Sequence, residues 1–299
     1  MVGDIGILGI LNLTPDSFFA DSRVAAGEAV SRAARLFEEG ADMVDLGACS
    51  TRPGSPQPSL EEEWHRLEPA LEALAQQSGK VFSDASLRDP VRANASENTF
   101  PDCSVIQYSI DTYRAEIVRR TYDVIGPFMV NDISGGQMDP EMLETVGSLG
   151  LPYIAMHMRG TPETMQRFTD YPEGIVEAVK AYFRAFADKA RAAGIREWLL
   201  DPGFGFSKTL EQNYQLLEGL GKLKEAFPEQ PLLVGLSRKS MVYKALGISP
   251  EEAMPATQVV QFAALERGAR WLRVHDVAAA VQTARLYSTM YTSSPGAAK

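Results

Sequence analysis

Ile7-Leu8-Gly9-Ile10-Leu11-Asn12 is a short apolar run closed by a polar side chain, and the same unit recurs along the chain with a helix-length segment between copies. Met43-Val44 ends at Asp45, Val105 to Ile110 at Asp111, Phe128-Met129-Val130 at Asn131-Asp132, and Tyr153-Ile154-Ala155-Met156 at His157. Trp198-Leu199-Leu200 ends at Asp201, Leu232 to Leu236 at Ser237-Arg238-Lys239, and Trp271-Leu272-Arg273-Val274 at His275-Asp276, which makes eight runs. Eight strands alternating with helices predict a parallel, closed (β/α)8 TIM barrel, an α/β fold whose functional groups gather at the carboxyl ends of the strands. The polar residue closing each run therefore falls where a ligand would be met.

The intervening segments carry helical periods. Ala25 to Glu39 sets Ala29, Ala33, Leu36 and Phe37 on one face, Leu60 to Gln76 does so with Trp64, Leu67, Leu71 and Leu74, and Gly174 to Ala193 is a long third case. Asp139-Pro140 is read as opening another helix, and Thr209 to Phe227, Ala256 to Arg267 and Val277 to Met290 complete the ring. One domain is expected over residues 1–291, with a frayed tail at 292–299. The polar segment Ser83 to Ser104 is too long for an ordinary connection into a strand and reads as an insertion. Val81 to Asp84 competes for the third strand, but Val105 to Asp111 is preferred because Ser109-Ile110-Asp111-Thr112 leads straight into a helical pattern from Tyr113.

Composition narrows the function. A chain of 299 residues with 45% hydrophobic and 23% charged residues suits one soluble barrel with a large core. A formal charge of -10 argues against nucleic acid as a general partner, so any anion site must be local. Cys49 and Cys103 are too few for a disulfide framework and lack metal-ligand spacing, which points to a reducing cytosol. Met1 to Leu13 is interrupted by Asp4 and Asn12 and lacks a basic front, so it is neither a signal peptide nor a membrane span. Asn12-Leu13-Thr14 and Asn94-Ala95-Ser96 fit the glycosylation pattern by chance in such a compartment.

Asp111, Asn131 and Asp201 offer acceptors and an amide at the barrel mouth, a set able to read a flat heterocycle rich in N–H donors. Arg52, Lys239, Arg273 and His275 close other strands with positive charge, so a donor-rich ring carrying an anionic group satisfies both sets. Any one Asp or Asn at such a junction also fits a helix N-cap. Asp201-Pro202-Gly203-Phe204-Gly205-Phe206-Ser207-Lys208-Thr209 permits close approach to a ligand that its phenylalanines can wall, though a backbone turn would explain its glycines too. Ser237-Arg238-Lys239-Ser240 suits a phosphate or carboxylate, with a solvated basic turn as the alternative.

Gly9-Ile10-Leu11-Asn12-Leu13-Thr14-Pro15-Asp16-Ser17-Phe18, Ser50-Thr51-Arg52-Pro53-Gly54, Ser109 to Thr112, Asn131 to Gly136, Met156-His157-Met158-Arg159-Gly160-Thr161-Pro162, Asp201 to Phe206, Ser237 to Ser240 and Arg273 to Asp276 stand in one order along nearly the whole chain. That set resembles the dihydropteroate synthase family. The resemblance implies an enzyme, a transferase of folate biosynthesis that condenses 6-hydroxymethyl-7,8-dihydropterin pyrophosphate with p-aminobenzoate to dihydropteroate and pyrophosphate. It implies that Asp111, Asn131, Asp201 and Lys239 bind the pterin, with Met156 on its face or in the barrel core. Asn12, Arg273 and His275 match the family's pyrophosphate site, and Arg52, Lys239, Arg273 and His275 are the groups implied in catalysis. Thr51, Arg52 and Pro53, with Phe206 and Ser240, match the p-aminobenzoate pocket, closed by the loops Thr14 to Arg23 and Ser50 to Pro58. The implied cofactor is Mg2+, linked to Asn12 and to an acidic residue of the first loop, for which Asp16 and Asp21 are candidates. The implied partners are the two small-molecule substrates and a second copy of the chain in a homodimer, with no membrane and a cytoplasmic location.

Three departures stand beside the resemblance. The chain starts near the first strand, without the N-terminal hairpin that many family members place under the barrel; Cys49 stands where an acidic residue is usual; and Ser83 to Ser104 is extra. The last is expected either on the barrel floor, with Val91 and Phe100 as candidate apolar contacts, or as a mobile surface loop, which its polar composition suits equally. The rival functions are a methyltetrahydrofolate-dependent methyltransferase and a pterin-binding paralogue without catalysis. Against both, the chain keeps Thr51-Arg52 and the Arg273/His275 pair.

Overall fold

The fold is that of a computed structural model, which describes residues 5–13, 22–49, 57–81 and 106–292. Eight strands form one closed, all-parallel barrel in sequence order: β1 (Gly6–Asn12), β2 (Met43–Gly47), β3 (Tyr108–Asp111), β4 (Met129–Asp132), β5 (Tyr153–Met156), β6 (Trp198–Asp201), β7 (Leu232–Val234) and β8 (Ala269–Val274). β8 returns to pair with β1. Among the described residues ten helices surround it: α1 (Ser22–Glu38), α2 (Leu60–Val81), α3 (Ala115–Ile125), α4 (Met142–Leu149), α5 (Ile175–Ala192), α6 (Leu210–Glu218), α7 (Leu220–Ala226), α8 (Ser240–Leu246), α9 (Met254–Glu266) and α10 (Val277–Thr292). The third strand is the one preferred from the sequence, and Val81 belongs to α2.

Two expectations need correction. The Thr209 to Phe227 period is two helices, broken at Gly219, against which Val176 of α5 packs. The helix expected from Asp139-Pro140 starts at Met142, because the Asp139 carboxylate instead accepts backbone N–H groups of Ala115 and Glu141 and caps the turn. α8 has no counterpart in the periodic segments, being only 7 residues long.

Successive strand residues point to opposite faces. Ile7, Val44, Ile110, Val130, Tyr153, Leu200, Val234 and Leu272 turn outward into the layer shared with the helices, where Leu67, Leu71, Val118, Phe183 and Leu216 are buried against them. Leu8, Met43, Met129, Ile154, Leu199, Leu233 and Trp271 turn inward and fill the barrel as a separate cluster, with Ile106 against it. Gly6 is part of that fit, since a Cβ there would lie 2.4 Å from the Trp271 ring. The interior is thus a packed apolar floor, and only its carboxyl end is left for polar groups. Among the described residues no helix is long and apolar enough to cross a membrane.

Candidate active site

Two residues beyond each inward floor residue, the strands present the next inward set. Met129 leads to Asn131, Ile154 to Met156, Leu199 to Asp201, Leu233 to Gly235 and Trp271 to Arg273, while Asp111 ends β3 in register with Asn131. A cavity of about 340 Å3, counted with space open to solvent, is lined by this ring together with Ile133, Gly203, Phe204, Phe206 and Lys239. The same alternation sends Asp132 and His157 outward. Asp132 accepts from the Tyr153 hydroxyl at 2.5 Å and from Ser134 and Gly136 N–H at 2.7 and 2.8 Å, so it organises the loop after β4.

One network ties the ring together. Arg273 donates to Asp45 Oδ2 at 2.7 Å and to Asp111 Oδ2 at 2.8 Å, and Asn131 Nδ2 donates to the same Asp45 oxygen at 3.0 Å. Burial disfavours the guanidinium charge, but Asp45 and Asp111 more than offset it and its pKa stands above the ordinary value. Burial raises the Asp111 carboxyl far above the carboxylate range despite Arg273 beside it. Asp201 is likewise raised by burial, opposed by the Gly203 N–H that reaches its Oδ1 at 2.8 Å and by Lys239 and Arg273. Lys239 donates to the Phe204 carbonyl at 2.9 Å and lies 4.3 Å from the centre of the Phe206 ring; burial brings its ammonium down to about 8, with Asp201 working against the fall.

The loop after β6 is pressed against the end of β5. Gly203 has φ +70° and a Cβ there would lie 2.1 Å from the His157 carbonyl oxygen, so no larger residue fits this approach. Lys208, buried behind the loop, donates to the carbonyls of Gly203 at 2.8 Å and Phe206 at 2.9 Å and meets His157 Nδ1 at 3.0 Å. Burial pushes both the Lys208 and the His157 pKa well down, and the nearby cations Lys208 and Arg159 add to the fall at His157. The loop ends in a capping box, with Gln212 N donating to Thr209 Oγ1 and Thr209 N to Gln212 Oε1.

The mouth's rim carries the other cations unevenly. Arg238, expected to share an anion with Lys239, is instead held in two bonds of 2.9 and 2.6 Å to Asp276, because the turn at Arg238 (φ +51°) points the two side chains apart. His275 takes its place after β8 with Nδ1 3.1 Å from Ser237 Oγ. Desolvation, with Arg273, Arg238 and Lys239, pushes its imidazole down to about 4; the residue is exposed, so water moderates the size of that fall but not its sign. Asn12 ends β1 in register with Gly47 and is half-buried. Ser240 opens α8 and stays off the cavity lining. Thr51, Arg52 and Pro53, the first-loop acids Asp16 and Asp21, and the 83–104 segment with Val91 and Phe100 lie outside the described residues.

The structure brings together the expected pterin set Asp111, Asn131, Asp201 and Lys239 with Met156, and sets beside it Phe206 from the expected p-aminobenzoate set and Arg273 from the expected pyrophosphate set. Sequence reasoning missed Asp45 and Lys208. Asp45 was visible as the close of the second run, but β2 continues to Gly47 and leaves it a pleat below the mouth. Among the described residues no three His, Cys, Asp or Glu side chains cluster so as to hold a metal by themselves.

The chain matches the family described as pterin binding enzyme over residues 8–103 and 95–275. It is similar to a dihydropteroate synthase of Synechocystis sp., at 38% identity over 289 residues covering 95% of this chain and 90% of that protein. It is also similar to the dihydropteroate synthase of Escherichia coli, at 36% identity over 283 residues, 94% of this chain and 89% of that protein. Among solved structures it is similar to the Yersinia pestis dihydropteroate synthase in a sulfonamide drug complex, with a TM-score of 0.80, 33% identity, and coverage of 97% of this chain and 95% of that one.

Proposed function

Because the chain belongs to the dihydropteroate synthase family of pterin-binding enzymes, we propose that the polar ring above its apolar floor is where its substrates meet. The chain is a transferase of folate biosynthesis, condensing 6-hydroxymethyl-7,8-dihydropterin pyrophosphate with p-aminobenzoate to dihydropteroate and pyrophosphate. One observation carries the placement: Asp111, Asn131 and Asp201, facing inward from three strands, meet Lys239 and Arg273 around a single cavity. A pterin edge bearing ring N–H and exocyclic amine donors fits three acceptors, and Met156 offers a polarisable surface to its face. Lys239 keeps donors to spare for a ring carbonyl, since the Phe204 bond uses one of three.

The pyrophosphate then lies toward Asn12 and His275 on the β8 and β1 side. A neutral His275 donates there without needing a proton from solvent, and the first turn of α10, following directly on Asp276, favours the same negative charge. The aniline nitrogen of p-aminobenzoate attacks the pterin methylene, the methylene–oxygen bond breaks with its electrons on pyrophosphate, and the new C–N bond forms as the amine loses a proton. Cationic groups near the departing oxygen stabilise charge that develops only as the bond breaks. Thr51, Arg52, Pro53, Phe206 and Ser240 shape the p-aminobenzoate side in this proposal, with Arg52 acting on the leaving group as the loops exclude water.

We propose that magnesium serves this reaction. Asn12, at the end of β1, would hold it through its side-chain oxygen, with Asp16 or Asp21 of the first loop as the candidate acidic ligand. When bound it supplies charge neutralisation to pyrophosphate. Metal-depleted protein should form no dihydropteroate, and Asn12→Ala should raise the Mg2+ concentration giving half-maximal rate; full activity in chelator would sink this assignment. We also place the enzyme in the cytoplasm as a homodimer. Support for the dimer comes from Val259, Leu286 and Met290, exposed on α9 and α10, which lie side by side through the Phe262–Tyr287 contact at 5.7 Å. Val259→Asp with Leu286→Asp should halve the mass seen by sedimentation.

A further inference from the structure

Asp45 lies below the cavity, out of reach of solvent, and its Oδ2 is shared by the Asn131 amide at 3.0 Å and the Arg273 guanidinium at 2.6 and 2.7 Å. A carboxylate oxygen in these contacts can only accept, so the Asn131 amide must meet it through its nitrogen. The carbonyl Oδ1 of Asn131 is thereby turned away from Asp45, on a residue that lines the cavity, and it has no hydrogen-bond partner among the described residues. Arg273 does the matching service for Asp111: it occupies Oδ2 at 2.8 Å and leaves Oδ1 for a ligand.

We propose that Asp45 is a positioning residue that sets the polarity of the pterin site, making Asn131 a third acceptor beside Asp111 and Asp201. The inference rests on the pterin assignment above and names the residue behind its preference for a donor edge. Without Asp45 the Asn131 amide can turn over and present its NH2 to ring N–H groups, replacing an attraction by a clash of donors. For the fold alone Asp45 is a poor choice. Its Oδ1 is buried with no partner among the described residues, as is the hydroxyl of Ser109, its neighbour in register on β3, and such groups cost stability. What offsets that cost is the orientation it imposes on Asn131 and Arg273.

Exchanging the two side chains tests this. In D45N the amide at 45 can donate to Asn131 Oδ1 and draw it from the ligand; in N131D two carboxylates face each other. In the double variant N131D/D45N the amide at 45 donates to the carboxylate at 131, whose second oxygen again faces the cavity as an acceptor. Binding of 6-hydroxymethyl-7,8-dihydropterin to the full chain is measured by titration calorimetry, with thermal melting to confirm folding. Each single variant should bind at least about tenfold more weakly, and the double variant within about threefold of the parent. Folded D45N with parental affinity, or a double variant as weak as the product of the two singles, overturns the proposal. If D45N does not fold, N131D against N131D/D45N still decides, because the second substitution must restore binding lost to the first. A parent protein that fails to bind the pterin would instead overturn the pterin assignment itself.

Discussion

At Asp201 one oxygen is committed to Gly203 and the other faces the cavity, so a substitution can change the ligand side without undoing the turn. Asp201→Asn keeps an acceptor for Gly203 but turns an NH2 toward ligand donors, and pterin binding should weaken by roughly 1–3 kcal/mol in calorimetry. An unchanged dissociation constant would remove Asp201 from the site. The titrating groups add a pH dependence with a definite sign. Asp111 and Asp201 have raised folded pKa values, so the stability they contribute is complete below the unfolded value near 4 and is lost as pH rises through the folded values. Ring N–H donors favour both carboxylates and cancel that loss, so the pterin-induced rise in Tm should be larger at about pH 7.5 than at about pH 5. An equal or smaller rise would show that the ligand does not meet these carboxyls. Lys239 runs the opposite way: its depressed pKa means stability lost as pH falls through about 8, while above about 8 its charge, and any help it gives an anionic group, disappears. Asp111, Asn131 and Asp201 were legible because each closes an apolar run. The split between Arg238 and Lys239 was not, because it depends on a left-handed turn that adjacent basic residues do not announce.

At the scale of elements, strand parity does the sorting. Asn131 and Asp132 are neighbours in sequence, yet one lines the cavity and the other braces a loop with Tyr153. Apolar runs buried on both faces carry no alternation by which to read that parity; it becomes visible only when the register around the closed barrel is known. The β6–α6 loop shows a second kind of hidden support, a lysine whose ammonium is spent inside the protein on the Gly203 and Phe206 carbonyls. Lys208→Met should leave those carbonyls unpaired, cost about 3 kcal/mol in unfolding experiments, and loosen Phe206, whereas Lys208→Arg should recover part of the loss. A Lys208→Met protein with parental stability would show that the loop is held by its own backbone. The break at Gly219 was invisible for a related reason: the periodicity continues through it, and the contact with Val176 of α5 is tertiary.

For the molecule as a whole, the closed barrel divides labour between its two ends. The described chain leaves α2 at Val81 and enters β3 at Tyr108 from the amino-terminal end of the barrel, opposite the mouth, and the sequence expectation is that the intervening residues 83–104 lie on that side. Replacing that segment with a short Gly/Ser linker should lower Tm and leave the Michaelis constants of both substrates nearly unchanged; a large change in either constant at unaltered stability would contradict the division. The eight-fold alternation that predicts the barrel was readable because every unit repeats it, whereas the internal network through Asp45 joins β2, β3, β4 and β8 and has no local signature. What the two ends together should accomplish is a single transfer: the floor keeps the pterin at the mouth, and the mouth releases pyrophosphate only when an amine is present to take its place. The direct measurement is pyrophosphate release from 6-hydroxymethyl-7,8-dihydropterin pyrophosphate in the presence of Mg2+, with and without p-aminobenzoate. Release strongly stimulated by p-aminobenzoate and matched mole for mole by dihydropteroate is the predicted result, and tight pterin binding with no product under any metal condition would contradict it.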